Sequence, residues 1–151
     1  MKVGMIGLGR RGERMSRRML KADIEVWGYS KDYEKSSEQY DTGYVSGVTT
    51  SLELLVGRVK DDTNKYVRVG KVPGIFQLAI PEEKVDETLD ELLPLLEEGD
   101  IIIDYSSDNV DKCLELEKYC SKLGVSYLFG GVYGATYAVS TCQKIFESLS
   151  A

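Results

Sequence analysis

Histidine is absent from the 151-residue chain. That excludes Ser–His and Cys–His nucleophile pairs, imidazole bases and histidine-ligated metals. Proton transfer by these residues would fall to Lys, Tyr, Asp or Glu. Cysteine is scarce: Cys113, Cys120 and Cys142 form an odd set without a Cys-x-x-Cys. Cys113 and Cys120 stand two turns apart on one expected helix, roughly 10 Å, too far to bridge. All three are expected to be reduced thiols packed as small apolar groups, and no metal site is expected. No apolar run approaches the roughly 20 residues of a membrane span. The opening residues lack the basic, apolar, small-residue order of a signal peptide, so the expected compartment is cytoplasmic. The net charge of −6 argues against a general nucleic-acid or anionic-membrane surface while leaving room for a local basic site. The length suits one domain with a core of its own.

What is present organises itself around the first twelve residues, MKVGMIGLGRRG. Val3, Met5 and Ile6 read as a buried parallel strand, and a helix pattern follows Gly7-Leu8-Gly9-Arg10-Arg11-Gly12. This is the Gly-x-Gly-x-x-Gly spacing of a dinucleotide fingerprint in its required context. Gly7 permits the tight turn, Gly9 lets a pyrophosphate approach the backbone, and Gly12 lets the helix pack close to the strand. The helix N–H groups and positive dipole end would face the phosphates. The competing reading is a tight strand-to-helix turn in another α/β domain. From Arg10 to Lys21 the helix is two-faced, with Gly12, Met15, Ser16, Met19 and Leu20 inward. Its basic stripe reads as a solvated face, except that Arg10 and Arg11 sit beside the anion site.

The second strand, Ile24 to Tyr29, ends where an acidic residue would bind the ribose 2′-hydroxyl of NAD. Ser30 and Lys31 stand there instead. A hydroxyl and a cation suit a 2′-phosphate and favour NADP over NAD. Asp32 opposes that charge, and the bland reading is a polar turn before a helix at Tyr33 to Gln39. A third strand spans Val45 to Val48, and Thr50 or Ser51 caps a helix through Val56. Gly57 to Gly74 fits a small hairpin or a mobile loop; its Lys60, Lys65, Arg68 and Lys71 read first as solvated, second as phosphate ligands. Then come a strand at Ile75 to Ile80 closed by Pro81, and an amphipathic helix from Glu82 to Glu97 with Pro94 near its end. A continuous apolar strand, Ile101 to Asp104, follows. Ser107 or Asp108 caps a helix to Lys122, Val125 to Phe129 is a sixth strand, and a terminal amphipathic helix follows Gly130. Its apolar stripe packs on the sheet or, less simply, against another subunit. The alternation predicts an α/β fold: a Rossmann-type, doubly wound parallel sheet of about six strands with helices on both faces and a C-terminal amphipathic helix, residues 1–151 forming one dinucleotide-binding domain.

The segments MIGLGRRGERMSRRML, IEVWGYS, LDELLPLLEEGDIIID and GGVYGATY together resemble the N-terminal cofactor domain of the 6-phosphogluconate dehydrogenase family. More broadly they resemble the β-hydroxyacid dehydrogenases, which include 3-hydroxyisobutyrate dehydrogenase. The resemblance implies a nicotinamide dinucleotide, NADP rather than NAD, and a sugar-acid or hydroxyacid substrate. By position it assigns Leu8, Gly9, Arg10 and Arg11 to the pyrophosphate, Ser30 and Lys31 to the 2′-phosphate, and Ile80 and Pro81 to the ribose and adenine side. Ser107 falls near the nicotinamide. Phe129, Gly130 and Gly131 fall on the family's substrate-binding Ser-Gly-Gly.

The departures bear on activity. Asp104-Tyr105-Ser106-Ser107-Asp108 lacks the family's paired glycines and Asn and looks closer to the Asp-x-Ser-Thr of the hydroxyisobutyrate branch. Phe129 cannot make a serine's hydrogen bond. Arg11 and Tyr105 are unusual enough to threaten the cofactor site. The family's catalytic Lys lies in a helical domain that these residues lack, so no catalytic residue is assigned. Three readings follow: an NADP-binding domain not competent alone, a small hydroxyisobutyrate-type dehydrogenase completed by a partner chain or homo-oligomer, or a non-catalytic nucleotide-sensing or interaction module. Whether the chain is a short protein or a fragment stays open here.

Overall fold

The computed structural model describes residues 2–32, 34, 37–38, 40, 43–61 and 73–150. The strands are β1 (Lys2–Ile6), β2 (Glu25–Tyr29), β3 (Gly47–Thr49), β4 (Ile75–Leu78), β5 (Ile101–Asp104) and β6 (Ser126–Phe129). The helices are α1 (Arg10–Lys21), α2 (Leu52–Lys60), α3 (Val85–Leu92), α4 (Val110–Lys122), the single turn α5 (Gly131–Gly134) and α6 (Ala138–Ser150). All strand pairs are parallel and the spatial order is β3-β2-β1-β4-β5-β6. The order reverses between β1 and β4. That is the topological switch point of a Rossmann-type sheet, where the two neighbouring loops leave on opposite faces and open a crevice.

The sheet is buried on both sides because its strands are apolar at both parities. On one face Val3, Met5, Ile75, Ile101 and Ile103 pack with Met15 and Met19 of α1 and Cys142 of α6. On the other, Ile6, Phe76, Leu78 and Ile102 meet Leu55 of α2, Leu89 of α3 and Cys113 of α4. Residues 101, 102 and 103 therefore alternate between two cores, as the pleat requires. The terminal helix packs on the sheet, the first of the two expected uses.

Several boundaries shift for local reasons. β3 begins at Gly47, because Ser46 turns its Oγ to accept from the Val26 N–H at 3.0 Å. Ser51 caps α2 through the Leu54 N–H at 3.1 Å, and the helix runs on to Lys60. The helix expected over Glu82 to Glu97 is α3 flanked by 3₁₀ turns at Glu82–Lys84 and Leu93–Leu95, with Pro94 tightening the second. α4 is capped by Asn109, which accepts from the Lys112 N–H, and not by Ser107 or Asp108. The reason lies in Asp104, whose Oδ1 holds the N–H groups of Ser106 and Ser107 at 2.7 and 3.2 Å and keeps that segment in a turn. The expected helix at Tyr33 to Gln39 falls largely outside the described residues, as do Lys65, Arg68 and Lys71. Lys60 is described, and it lies at the opposite end of the sheet from the glycine loop. There its Nζ pairs with the buried Asp100 carboxylate at 2.8 Å and with Glu97 at 3.2 Å. It is a structural ion pair, remote from any phosphate bound at that loop.

Candidate functional site

The glycine loop occupies the carboxyl end of β1 at the switch point. Gly7 has φ +101°, and a Cβ there would collide with the Ala79 carbonyl on the neighbouring β4 loop. A Cβ on Gly12 would collide with the Gly7 carbonyl, so both glycines are demanded by close backbone packing. Gly9 is the contrast: a Cβ there meets nothing within 4 Å. It is the N-cap of α1, in extended conformation, and among the described residues no side chain caps the helix. The first-turn N–H groups are thus left for an outside acceptor, with the positive end of the helix dipole behind them.

Beside this loop lies a cleft of about 440 Å³. Its walls are Gly7, Leu8 and Gly9 from the loop, Tyr29, Ser30 and Lys31 from the end of β2, and Ala79, Ile80 and Pro81 from the end of β4. Lys84 and Thr88 complete it. Seven of the residues singled out from the sequence (Gly7, Leu8, Gly9, Ser30, Lys31, Ile80 and Pro81) therefore share one cavity. Arg10 is exposed at the start of α1, outside that lining.

Arg11 points elsewhere. Its Nη1 donates to the Tyr105 carbonyl at 2.6 Å, which ties the start of α1 to the end of β5. Tyr105 is buried in the core among Ala135, Ala138 and Cys142, with its ring against Gly130. Neither side chain lines the cleft, so neither obstructs it. Burial pushes the Tyr105 phenol well above its ordinary range, so it stays protonated.

Lys31 is held across the cleft by α3. Its Nζ lies 3.1 Å from Glu87 and 3.9 Å from Glu91, and Glu87 also approaches Lys84 at 3.7 Å. The hydrogen bond and charge of Glu87 raise the Lys31 pKa, and Lys31 in turn lowers that of Glu87. Lys31 is a fixed cation at any physiological pH.

A second group of residues gathers at the ends of β5 and β6. Gly130 donates its N–H to the Asp104 carbonyl at 2.9 Å, and Gly131, at φ +60°, sits against Asp108 and the Ser107 carbonyl. Ser107 is buried, and its Oγ has no partner among the described residues. Phe129 packs into the second core. The two groups are joined by Ser106, whose Oγ accepts from the Ile80 N–H at 2.9 Å. The sequence reading missed Tyr29, Lys84, Thr88 and Ser106, as well as Glu87 and Glu91. The i, i+3, i+4, i+7 spacing of 84, 87, 88 and 91 was the available signal for one shared helix face. Nothing local said that this face overlooks β2. Among the described residues no cluster could hold a metal ion.

The family model described as the NAD binding domain of 6-phosphogluconate dehydrogenase matches residues 2–148. The chain belongs to this family. The decarboxylating 6-phosphogluconate dehydrogenase of Chlamydia pneumoniae is 31% identical over 144 residues, covering 91% of this chain and 28% of the relative. The NAD(+)-dependent, decarboxylating enzyme of Haloferax volcanii is 29% identical over 134 residues, covering 89% of this chain and 40% of the relative. This NAD-binding domain thus spans well under half the length of those relatives. Among solved structures, Mycobacterium tuberculosis 3-hydroxyisobutyrate dehydrogenase superposes with a TM-score of 0.65 at 22% identity, over 88% of this chain and 42% of that one. That likeness shows the shared fold. The residues of the cleft fit a dinucleotide: open space at Gly9, an uncapped helix N-terminus, and apolar walls from Leu8, Ile80 and Pro81.

Proposed function

We propose that the chain binds a nicotinamide dinucleotide across the switch-point crevice, NADP in preference to NAD, as the cofactor-holding part of an oxidoreductase acting on a sugar acid or hydroxyacid. The observation that carries this reading is the uncapped N-terminus of α1 beside an unobstructed Gly9. Leu8, Gly9, Arg10 and Arg11 take the pyrophosphate through backbone N–H groups, with the Arg10 side chain free to add charge from the rim. Ile80 and Pro81 pack on the adenosine side, and Ser30 with Lys31 meets the 2′-phosphate. Ser107, Gly130 and Gly131 mark the nicotinamide and substrate end. When bound, the nicotinamide ring supplies a hydride acceptor.

The chain's own part in that chemistry is to bind and orient. Hydroxyacid oxidation also needs a positioned base of tuned pKa. At the β5–β6 end the Asp104 carboxylate is committed to Ser106, Ser107 and Tyr127, and beside it stand Asp108 and neutral hydroxyls, so the reading has the domain hold the cofactor while the base comes from elsewhere. Calorimetric titration of wild type and Lys31→Ala with both dinucleotides tests the cofactor preference. Loss of the cation is expected to weaken NADP about tenfold and NAD less than twofold. Equal losses for both would remove Lys31 from the 2′-phosphate.

A further inference from the structure

The ribose end of the cleft carries an arrangement of charge that the simple Ser30–Lys31 reading leaves unused. Lys31 and Lys84 both line the cleft, and both face the carboxylate of Glu87, at 3.1 and 3.7 Å. Glu91 stands one turn further along α3, 3.9 Å from Lys31. Two cations therefore meet two carboxylates at this spot. A ribose 2′-hydroxyl is neutral and nearly indifferent to that balance. A 2′-phosphate, carrying close to two negative charges at neutral pH, is not.

We infer that Glu87, with Glu91 behind it, sets the NADP-to-NAD preference of the cleft by holding Lys31 and by repelling a 2′-phosphate. The inference rests on the dinucleotide reading above. Glu87 is a positioning residue: it acts through Lys31 and through its own field. The Lys31–Glu87 pair is exposed on both sides, with side chains 60% and 50% accessible. Such a pair is weak, so Lys31 can leave it for a phosphate. The repulsion stays after Lys31 has moved. Through water, one carboxylate acting on a near-dianion corresponds to about a fivefold change in Kd at low salt. This chain would then bind NADP with a preference held down by its own α3, and a neutral residue at 87 would sharpen it.

Calorimetric titration with NADP and NAD, on wild type, Glu87→Gln and the double variant Glu87→Gln/Glu91→Gln, tests the inference. Glutamine keeps the length and the hydrogen-bond acceptor, and both positions are exposed, so folding is expected to persist; circular dichroism checks it. The expected result is an NADP Kd about fivefold lower in Glu87→Gln and lower again in the double variant, with NAD changed less than twofold. The gain shrinks in about 0.5 M salt, where the Debye length falls to a few ångströms. NADP and NAD shifting by the same factor, or neither shifting, would overturn it. Wild type binding neither dinucleotide would bring down the underlying reading, and the inference with it. Wild-type NAD binding with an unmoved ratio isolates the failure to Glu87.

Discussion

Asp104 shows how much of the β5–β6 end is held by one buried side chain. Its Oδ1 takes the N–H groups of Ser106 and Ser107, and its Oδ2 accepts a hydrogen bond from the Tyr127 hydroxyl on β6. Burial, and then the Asp104 hydrogen bond, push the Tyr127 phenol far above its ordinary range, so it remains the donor. Asp104→Ala would leave two buried N–H groups and a phenol without their acceptor. A loss of about 2–4 kcal/mol is expected, read by urea unfolding; a change below about 0.5 kcal/mol would mean the network carries no stability. The turn itself was hard to read from sequence, because the hydroxyl that completes it lies 23 residues away. The glycines were the legible residues. Gly12 answers to the Gly7 carbonyl within its own turn, which the motif spacing encodes directly, and Gly7 answers to its positive φ as well as to the distant Ala79 carbonyl.

Among the elements, β4 holds the feature least expected of a central strand. Gln77 is fully buried between β1 and β5, facing α1 and α6. Among the described residues its amide meets only sulfur: Nε2 donates to Met19 Sδ at 3.4 Å, and Oε1 accepts from the Cys142 thiol at 3.8 Å. Sulfur is a weak partner in either role. A buried amide so poorly matched costs nearly its whole desolvation. Gln77→Leu is therefore expected to stabilise the fold by about 1 kcal/mol, seen as a higher Tm. A loss of more than about 1 kcal/mol would show that the sulfur contacts matter more than the desolvation. The same strand explains what periodicity could and could not deliver. Ile75, Phe76 and Leu78 announced a buried strand, but an apolar run does not say which parity faces α6. α1 was legible along its full length because Met15, Ser16 and Met19 recur on one face behind the glycine loop. α4 begins one or two residues later than expected, because Asp104 takes the Ser107 N–H and Glu82 takes the Asp108 N–H.

At the scale of the molecule, strand–helix alternation with short connections leaves few topologies, since parallel crossovers are right-handed. The six-strand sheet and the crevice at β1 and β4 follow from that rule and were legible. Which face of α3 overlooks the end of β2 was not, because it depends on how the whole layer settles on the sheet. That placement brought Lys84, Thr88, Glu87 and Glu91 to Lys31. The three cysteines give a global prediction. Burial raises the thiols of Cys120 and Cys142 from 9.0 to about 11 and about 12, and Cys113 in the same direction. The folded chain keeps protons that the unfolded chain releases. The stability linked to these thiols is whole below pH 9 and is lost as pH rises from there toward 11 and 12. Urea midpoints are expected to fall between about pH 8 and about pH 10.5. A midpoint unchanged across that range would contradict the burial of the thiols.

The central claim is that backbone N–H groups at an uncapped helix start grip a dinucleotide at Gly9, and Gly9→Asp tests it. A Cβ fits there without contact, and aspartate is a favourable N-cap, so the fold is expected to be as stable as wild type or a few tenths of a kcal/mol better. The same carboxylate would occupy the phosphate position with the wrong charge. Calorimetric titration with NADP and NAD is expected to show binding by wild type and at least a hundredfold loss, about 3 kcal/mol, in the variant. Equal affinities in the two proteins would contradict the account.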